Sequence, residues 1–317
     1  MSEFDLIRRY FTRATPNTLL GVGDDAALFQ ASVGNVLVVS TDMLVCGTHF
    51  FADADAFMLG HKALAVNLSD MAAMGATPRW ATLAIALPEA DETWLEKFSA
   101  GFFSLAYQQG VELVGGDTTR GPLNLCVTIF GEVPAPQALR RSGAQIGDEV
   151  WVSGTLGDAA LALAHLQGRV VLSEVEFSKC AAALHQPQPR VALGLALRGL
   201  ANCAIDISDG LLADLGHVLG ASQVAAQLDF AALPTSPVVR GYMEQALGKQ
   251  CVLSGGDDYE LCFTAPVAHH AELLRISAKL ALPLTRIGTI VAGRGCVVHD
   301  ATGNPINVEG HGYDHFP

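Results

Sequence analysis

Short apolar segments rich in β-branched residues alternate along this chain with longer segments of helical composition. Residues 35–42 (NVLVVSTD) have the composition of a strand, and residues 56–76, rich in alanine and methionine, have that of a helix. A second strand is predicted at 79–87 and a second helix at 92–110, ending at Gly110 because glycine commonly follows a helix. Such alternation predicts an α/β or mixed α+β fold. It continues with predicted strands at 111–117, 123–133, 148–154, 203–209, 259–265 and 284–291 and helices near 158, 190 and 211.

The length of the chain predicts two domains. It has 317 residues, whereas one domain commonly has roughly 100–200. Residues 134–148 interrupt the alternation with proline, glycine and charged residues, a composition typical of a domain boundary. We therefore predict an N-terminal domain at 1–137 and a C-terminal domain at 138–317.

The charge balance excludes some partners. A formal net charge of −13 argues against nucleic acids and anionic membranes, because both require basic patches. The cysteines are odd in number and lie mostly inside apolar runs, which is typical of reduced thiols rather than zinc ligands. No signal-peptide core and no apolar run of about 18 residues is present. We expect a soluble cytoplasmic protein.

Aspartates recur where an apolar run ends in one or two small residues. The run VLVVSTD ends at Asp42, and ELVGGD ends at Asp117. A single aspartate of this kind would usually cap the next helix. Ligands of α/β proteins bind where strands end, so the repeated pattern predicts one shared ligand site. The pattern occurs also at Asp206, Asp209, Asp257 and Asp258.

Two further aspartates have different surroundings. Asp25 follows Asp24 in the glycine-rich stretch GVGDDAALF, which by itself is typical of a turn. Asp70 lies in an apolar, alanine-rich segment three residues after Asn67, so both would share one helix face. An unpaired buried carboxylate costs several kcal/mol, so Asp70 is either on an exposed face or buried with a cation or a shifted pKa.

Aspartates that converge would repel one another without counter-ions. Mg²⁺ prefers oxygen ligands and bridges to phosphates, and metals placed in this way stabilise a transferring phosphoryl group. The sequence therefore predicts a phosphoryl-transfer site with several magnesium ions. It contains no P-loop and no protein-kinase motif. Residues 153–163 (SGTLGDAALAL) fit either a phosphate site at a helix N-terminus or an ordinary glycine-rich helix start.

Longer motifs give these aspartates a familiar context. The chain resembles, essentially from end to end, the thiamine-monophosphate kinase family of the aminoimidazole-ribonucleotide-synthetase-like superfamily. The resemblance implies the reaction of ATP with thiamine monophosphate to give ADP and thiamine diphosphate. It also implies two α/β domains, with N-terminal domains that pair in a homodimer through a shared β-barrel. The motifs are GVGDDAAL, STDMLVCGTHF, KALAVNLSDMAAMGA, GGDTTRGP, RRSGAQIGD, AIDISDGLLADLGH, SGGDDYELCFT and GYDHF.

Matching these motifs residue by residue implies which positions bind each ligand. Ser40 and Thr41 would add oxygen ligands to the aspartates, partly through their backbone carbonyls. No general base is implied, because transfer would be assisted by metal. Magnesium ligands are implied at Asp25, Ser40, Thr41, Asp42, Asp70, Asp117, Asp206 and Asp209. ATP contacts are implied at Gly116, Asp117, Arg141 and Ser208, and substrate contacts at His49, Asp257 and Gly310.

The chain departs from the family at two substrate positions. Asp257 stands where the family usually has glutamate, and Gly310 stands where it commonly has an aromatic residue that packs on the substrate. Both departures concern the thiamine end of the site, whereas the metal-ligand motifs match in full.

Three other interpretations remain. Selenophosphate synthetase needs a reactive cysteine or selenocysteine in an N-terminal glycine-rich loop, and this chain has no cysteine before Cys46. The hydrogenase-maturation relative ends in a modified cysteine, whereas this chain ends in HFP. A non-catalytic magnesium- or nucleotide-binding regulator would need fewer of the aspartates.

Overall fold

The chain divides into two compact units in the computed structural model, which describes residues 3–306. The N-terminal unit comprises residues up to 71 together with 76–136, and the C-terminal unit comprises 72–75 together with residues from 137 onward. Each unit contains one open sheet and several helices. The predicted mixed α/β character is confirmed.

The N-terminal unit starts with a short helix, α1 (Glu3–Leu6), which continues as a π-helical turn over Ile7–Phe11. Its two long helices are α2 (Ala56–Ala73) and α3 (Glu92–Gln109). Gly110 follows α3 in the left-handed conformation (φ 68°), which confirms the predicted helix end. The strands are β1 (Asn35–Val45), β2 (Thr77–Leu87), β3 (Glu112–Arg120) and β4 (Asn124–Pro134).

The N-terminal sheet has the strand order β1-β4-β2-β3, so β1 and β3 are its edges. Only β2 and β3 run parallel. On one face the alternate residues of β4, such as Leu125 and Ile129, are buried. On the other face the β1 side chains Leu37, Val39 and Met43 are 45%, 55% and 54% exposed. An apolar stripe therefore lies uncovered along an edge strand of this copy.

Helices α2 and α3 pass so close that their backbones touch. A Cβ atom on Gly60 would lie 2.1 Å from the carbonyl oxygen of Phe98, and one on Gly101 would lie 1.9 Å from that of Phe57. No side chain fits at either position without moving a backbone. The two glycines therefore set the distance between the helices.

The C-terminal unit carries a six-stranded sheet with the order β10-β7-β9-β5-β8-β6, in which only β7 and β10 pair in parallel. Its strands are β5 (Glu149–Ser153), β6 (Cys203–Asp206), β7 (Ala225–Asp229), β8 (Leu261–Ala265), β9 (Leu284–Val291) and β10 (Gly295–His299). Its helices are α4 (Asp158–Leu166), α5 (Glu174–His185), α6 (Val191–Ala196), α7 (Leu211–Ser222), α8 (Pro237–Arg240), α9 (Ala246–Ser254) and α10 (His270–Leu280).

Replacing Gly101 by alanine is expected to destabilise the N-terminal unit, because the new methyl group overlaps the Phe57 backbone. Overpacking of this kind costs about 1–3 kcal/mol or more. The matched control is Gly216→Ala in α7, where nothing lies within 4 Å of the new Cβ, and there alanine should stabilise the helix slightly. Urea unfolding of both variants measures the difference. Equal unfolding midpoints would contradict the close contact between α2 and α3.

The predicted placement of aspartates at strand ends is wrong for several of them. Asp42 lies inside β1 and Asp117 inside β3, because both strands extend several residues further than their apolar cores. The run CVLS before Asp257 and Asp258 is the end of helix α9 rather than a strand. Asp206 does end its strand, β6. Short apolar runs fit either a strand or a buried helix, and only packing decides between them.

The cysteines are reduced, and the described helices do not have the properties of membrane spans. All seven cysteines are free, and Cys180, Cys203, Cys251 and Cys262 are buried. Burial raises the pKa of the Cys203 and Cys251 thiols to about 11, so these thiols stay protonated at neutral pH. Across residues 3–306, the helices are too short or too polar to cross a lipid bilayer.

Candidate active site

Side chains of β1 and α2 meet on the helix-covered face of the N-terminal sheet. Ser40 and Asp42 alternate with Thr41 along β1, so they share one face of the strand. Ser40 Oγ donates a hydrogen bond to Asp70 Oδ2. The backbone N–H of Asp42 donates to Asn67 Oδ1 at 3.2 Å. The structure thus joins two of the predicted ligands, Ser40 and Asp70, directly, and ties the backbone of a third, Asp42, to the same face of α2 through Asn67.

Asn67 holds this arrangement in register. It is completely buried, and its Nδ2 donates to the Ala63 carbonyl at 3.1 Å, which directs Oδ1 toward β1. Asp70, one turn later, is only partly buried in a helix that is otherwise almost entirely buried. Two carboxylates and a hydroxyl are hard oxygen donors, and Mg²⁺ is usually held by one or two carboxylates with water and phosphate. The three side chains have the donor chemistry for such an ion, and their role as its ligands stays a prediction.

Thr41 and Asp117 lie on the opposite, exposed face. Thr41 pairs with Thr128 in register, Thr128 with Thr82, and Thr82 with Gly115, so Asp117, two residues further, shares the face of Thr41. Their strands are the two edges of the sheet. Three strand spacings of about 4.8 Å separate them by roughly 14 Å across the sheet, and the two-residue offset adds about 6.6 Å along the strands. One copy of the sheet therefore does not bring Asp117 to the other predicted metal ligands.

Gly116 has a structural reason to be glycine. Its φ is +153°, and a Cβ there would lie 1.9 Å from the carbonyl oxygen of Leu83 on β2. The predicted ATP contact at Gly116 stays a prediction, and the close pairing of β3 with β2 accounts for the residue type without a ligand.

Asp25 lies exposed in a turn, where its backbone N–H donates to the Asp24 carboxylate at 2.9 Å. This is the local turn chemistry that the sequence also allowed. Its role as a metal ligand stays a prediction.

His49 closes the turn that follows β1. Its Nδ1 accepts a hydrogen bond from the Val45 N–H at 3.0 Å, and Gly47 N–H donates to the Phe50 carbonyl at 2.8 Å. Since Nδ1 is the acceptor, Nε2 carries the proton of the neutral ring. The substrate contact of His49 stays a prediction.

In the C-terminal unit, Ser208 and Asp209 lie in the loop between β6 and α7. The backbone N–H groups of Ser208, Asp209 and Gly210 all donate to one oxygen, Asp214 Oδ2, at 3.0, 3.0 and 3.1 Å. Asp214 is buried, and burial raises its pKa to about 6 although the three donors act in the other direction. The sequence analysis missed Asp214, for which the only signal is its position in the first turn of α7.

The loop after α9 packs directly on the Ser208 loop. The Asp257 N–H donates to the Ser208 carbonyl at 2.8 Å, which joins a predicted substrate contact to a predicted ATP contact. Asp257 (φ 68°) and Tyr259 (φ 49°) are both in the left-handed region, which non-glycine residues enter only when the surroundings enforce it. The Tyr259 hydroxyl lies 3.1 Å from Asp257 Oδ1. Asp257 is thus held by its backbone, through the Ser208 carbonyl, and by its side chain, through the Tyr259 hydroxyl.

The Asp258 carboxylate binds the backbone of Gly157, the residue just before helix α4. Both of its carboxylate oxygens accept the Gly157 N–H, at 3.0 and 3.1 Å. Burial raises the pKa of Asp258 well above its usual range, with the neighbouring Glu260 and Asp158 carboxylates adding to the effect. An internal carboxylate thus occupies the N–H group of Gly157, whereas the two interpretations of residues 153–163 both stay open.

Glu260, a buried residue that follows Asp257 and Asp258 in the same loop, forms an ion pair with the partly buried Arg190. Glu260 accepts hydrogen bonds from Arg190 Nε at 2.7 Å, from Arg190 Nη2, and from Ser153 Oγ at 2.5 Å. Its side chain is 6% exposed and that of Arg190 is 25% exposed. Arg190 and Glu260 are far apart in sequence, so no local pattern could have indicated their pairing.

The remaining predicted residues are not assembled into a site. Arg141 is exposed, with its carbonyl oxygen 3.4 Å from Ser222 Oγ, and Gly310 lies outside the described residues. Across residues 3–306, no three histidine, cysteine, aspartate or glutamate side chains are grouped to hold a metal ion. All the ligand assignments, those of Ser40, Asp42 and Asp70 included, therefore stay predictions.

Both parts of the chain match the AIR synthase related proteins. Residues 23–133 match the N-terminal domain of that family and residues 145–301 match its C-terminal domain. These matches define the class of protein: a two-domain chain of the AIR synthase related fold.

Curated relatives and solved structures identify the family within this class to which the chain belongs. The thiamine-monophosphate kinase of Escherichia coli K12 is 47% identical over 99% of this chain and 98% of its own length. The crystal structure of thiamine-monophosphate kinase from Stenotrophomonas maltophilia K279a is 50% identical, with a TM-score of 0.88 over 96% of this chain and 98% of that one. AaThiL complexed with AMPPCP and TMP is 30% identical, with a TM-score of 0.78 over 99% of this chain and 96% of that one. The chain belongs to the thiamine-monophosphate kinase family.

Proposed function

We propose that the protein transfers the γ-phosphoryl group of ATP to the phosphate of thiamine monophosphate, with Mg²⁺ ions at the transfer site. One observation carries the choice of substrates: the likeness along almost the whole chain to AaThiL, which was solved with AMPPCP and TMP. The grouping of Ser40, Asp42 and Asp70 supports the metal requirement.

The chemistry needs no protein base. The second pKa of a phosphate monoester is about 6, so the acceptor is already a dianion at neutral pH. An acceptor oxygen forms a bond to the γ-phosphorus, and the bond from that phosphorus to the bridging β,γ-oxygen breaks, releasing ADP. Bound Mg²⁺ would neutralise charge on the transferring group. Residues of the chain would hold the substrate in position: His49, fixed at the end of β1, and Asp257, whose backbone conformation is enforced, are the proposed substrate contacts.

ADP release measured with and without thiamine monophosphate tests the proposal. We expect release only with thiamine monophosphate and Mg²⁺ present, and none with unphosphorylated thiamine, which lacks the acceptor. Release that is independent of the acceptor would indicate an ATPase. Binding of nucleotide without release under any condition would indicate the regulator considered above.

We also propose that the protein is a homodimer whose N-terminal sheets face each other and form a shared barrel. The uncovered β1 stripe of Leu37, Val39 and Met43 supports this, because an exposed apolar row on an edge strand is usually covered by a partner. Light scattering should give the mass of two chains. The mass of a single chain at micromolar concentration would contradict the dimer.

The separation of Thr41 from Asp117 supports a site shared between copies. They lie on one face but on opposite edges of the sheet. An antiparallel pair of copies in which β3 of one lies against β1 of the other would bring Asp117 of one copy to Thr41 of its partner. We propose that Asp117 acts in the site of the partner copy.

Heterodimers test this arrangement. Chains carrying Asp70→Asn and chains carrying Asp117→Asn should each be inactive alone. A heterodimer of the two keeps one site with both native residues, so about half of the wild-type activity should return. The matched control is the heterodimer of Asp42→Asn with Asp70→Asn, which should stay inactive because these residues act from one chain. An inactive Asp70→Asn/Asp117→Asn heterodimer would place Asp117 in the site of its own chain.

A further inference from the structure

The loop between β6 and α7 is held by a carboxylate that no sequence motif assigns to a ligand. Asp214 Oδ2 accepts three consecutive backbone N–H groups, those of Ser208, Asp209 and Gly210, at 3.0–3.1 Å. The side chain is buried, so water does not compete for these donors. All three amides point inward, away from any ligand that meets the loop from outside.

The other backbone groups of the loop are also committed. Gly210 has φ +119°, and a Cβ there would lie 2.7 Å from the backbone of Ser254, so the loop is pressed onto the end of α9. The Ser208 carbonyl accepts from Asp257 N–H, and the Ile207 N–H donates to the Glu260 carbonyl, both at 2.8 Å. These contacts hold the loop backbone against the end of α9 and against residues 257–260.

This geometry limits how a nucleotide can bind. A helix N-terminus usually offers its free N–H groups to phosphate. Just before α7 the amides of Ser208, Asp209 and Gly210 are taken by Asp214, and just before α4 the Gly157 N–H is taken by Asp258. Phosphate oxygens cannot use these four amides without displacing a buried carboxylate, so within the Ser208–Gly210 segment the side chains of Ser208 and Asp209 are the groups left to contact a ligand.

We propose that Asp214 is a positioning residue that holds the Ser208–Asp209 backbone in the conformation that binds the magnesium–nucleotide complex. The proposal rests on the proposed function for the identity of the ligand. Without the carboxylate, three amides would seek other acceptors, and the Asp209 carboxylate is the nearest alternative in sequence. Asp209 would then turn inward and be lost to the ligand.

The experiment compares Asp214→Ala, Asp214→Asn and wild type. Binding of AMPPCP with Mg²⁺ is measured by calorimetry, and hydrogen exchange is measured at the amides of residues 208–210 without ligand. Asp214→Ala should weaken AMPPCP binding by about tenfold or more, since a hydrogen bond to a charged group contributes more than a neutral one and three are lost. Asp214→Asn keeps one acceptor oxygen and should lose less. Exchange at the three amides should accelerate in the same order.

Asp229→Ala is the matched control. Asp229 is in the same unit, and its carboxylate accepts the Ala231 N–H at 2.9 Å, so its loss also removes a local hydrogen bond. It should leave AMPPCP affinity and exchange at 208–210 unchanged.

Wild-type affinity in a folded Asp214→Ala variant would overturn the proposal. If that variant does not fold, Asp214→Asn decides: faster exchange with unchanged affinity would show that the held conformation does not matter for binding. Failure of the proposed function is distinct, because wild type would then bind AMPPCP with Mg²⁺ and still release no ADP with thiamine monophosphate.

Discussion

Replacing Asp70 by asparagine is expected to reduce phosphoryl transfer by about a hundredfold or more, since changes that only support metal ligands already cost 10–100-fold. Asparagine keeps the shape and can still accept the Ser40 hydrogen bond, but it removes the charge that would attract Mg²⁺. Asp42→Asn, beside it, should behave alike. The measurement is ADP release at saturating ATP and thiamine monophosphate over a range of Mg²⁺ concentrations.

The matched control for Asp70→Asn is Ser69→Ala. Ser69 is the preceding residue of α2, and its buried hydroxyl makes no hydrogen bond to residues 3–306. Its loss should leave activity unchanged. Turnover of Asp70→Asn close to wild type at every Mg²⁺ concentration, in a folded protein, would contradict the assignment of the Ser40, Asp42 and Asp70 group to metal.

Arg190→Ala is expected to lower the free energy of unfolding of the C-terminal unit by about 3–5 kcal/mol, because it leaves a buried carboxylate without its partner. Glu260 would retain Ser153 as a hydrogen-bond donor but not the guanidinium. Urea unfolding followed by tryptophan fluorescence measures the change, since Trp151 is buried in β5 of the same sheet.

Two further variants test whether the loss of stability in Arg190→Ala comes from the unpaired Glu260 carboxylate. Glu272→Ala breaks the exposed Arg275–Glu272 pair of α10 and should cost less than about 1 kcal/mol. Replacing Arg190 and Glu260 together by apolar residues of similar size should recover much of the loss, because no unpaired charge remains. An Arg190→Ala variant as stable as Glu272→Ala would show that the pair contributes nothing.

The sequence predicted the fold class and most elements because their signals are local. Gly110 ends α3 as expected, and Asp70 shares a helix face with Asn67. Helix α5 was missed although its start carries a capping box, in which Ser173 and Glu176 bond to each other's backbone N–H. The SxxE pattern could have found it.

The sequence could predict contacts within the site only between residues that lie on the same helix or strand. That Asp42 meets Asn67 and Ser40 meets Asp70 depends on the register of β1 against α2, which no local pattern determines. The wrong strand-end placement of Asp117 follows from the same limit, since the partner strands decide how far β3 extends. Asp214 and Arg190 act through backbone amides and a distant glutamate, so residue type alone gave them no role.

The hydrogen bond from Asp257 N–H to the Ser208 carbonyl has an energetic consequence. If Ser208 contacts the nucleotide and Asp257 contacts thiamine monophosphate, the substrate that binds first orders both loops. The second substrate then loses less free energy in ordering them. Thermodynamic reciprocity then requires that bound nucleotide changes the affinity for thiamine monophosphate by the same factor as bound thiamine monophosphate changes the affinity for nucleotide. AMPPCP and thiamine monophosphate, titrated in both orders, should therefore give one coupling factor greater than one.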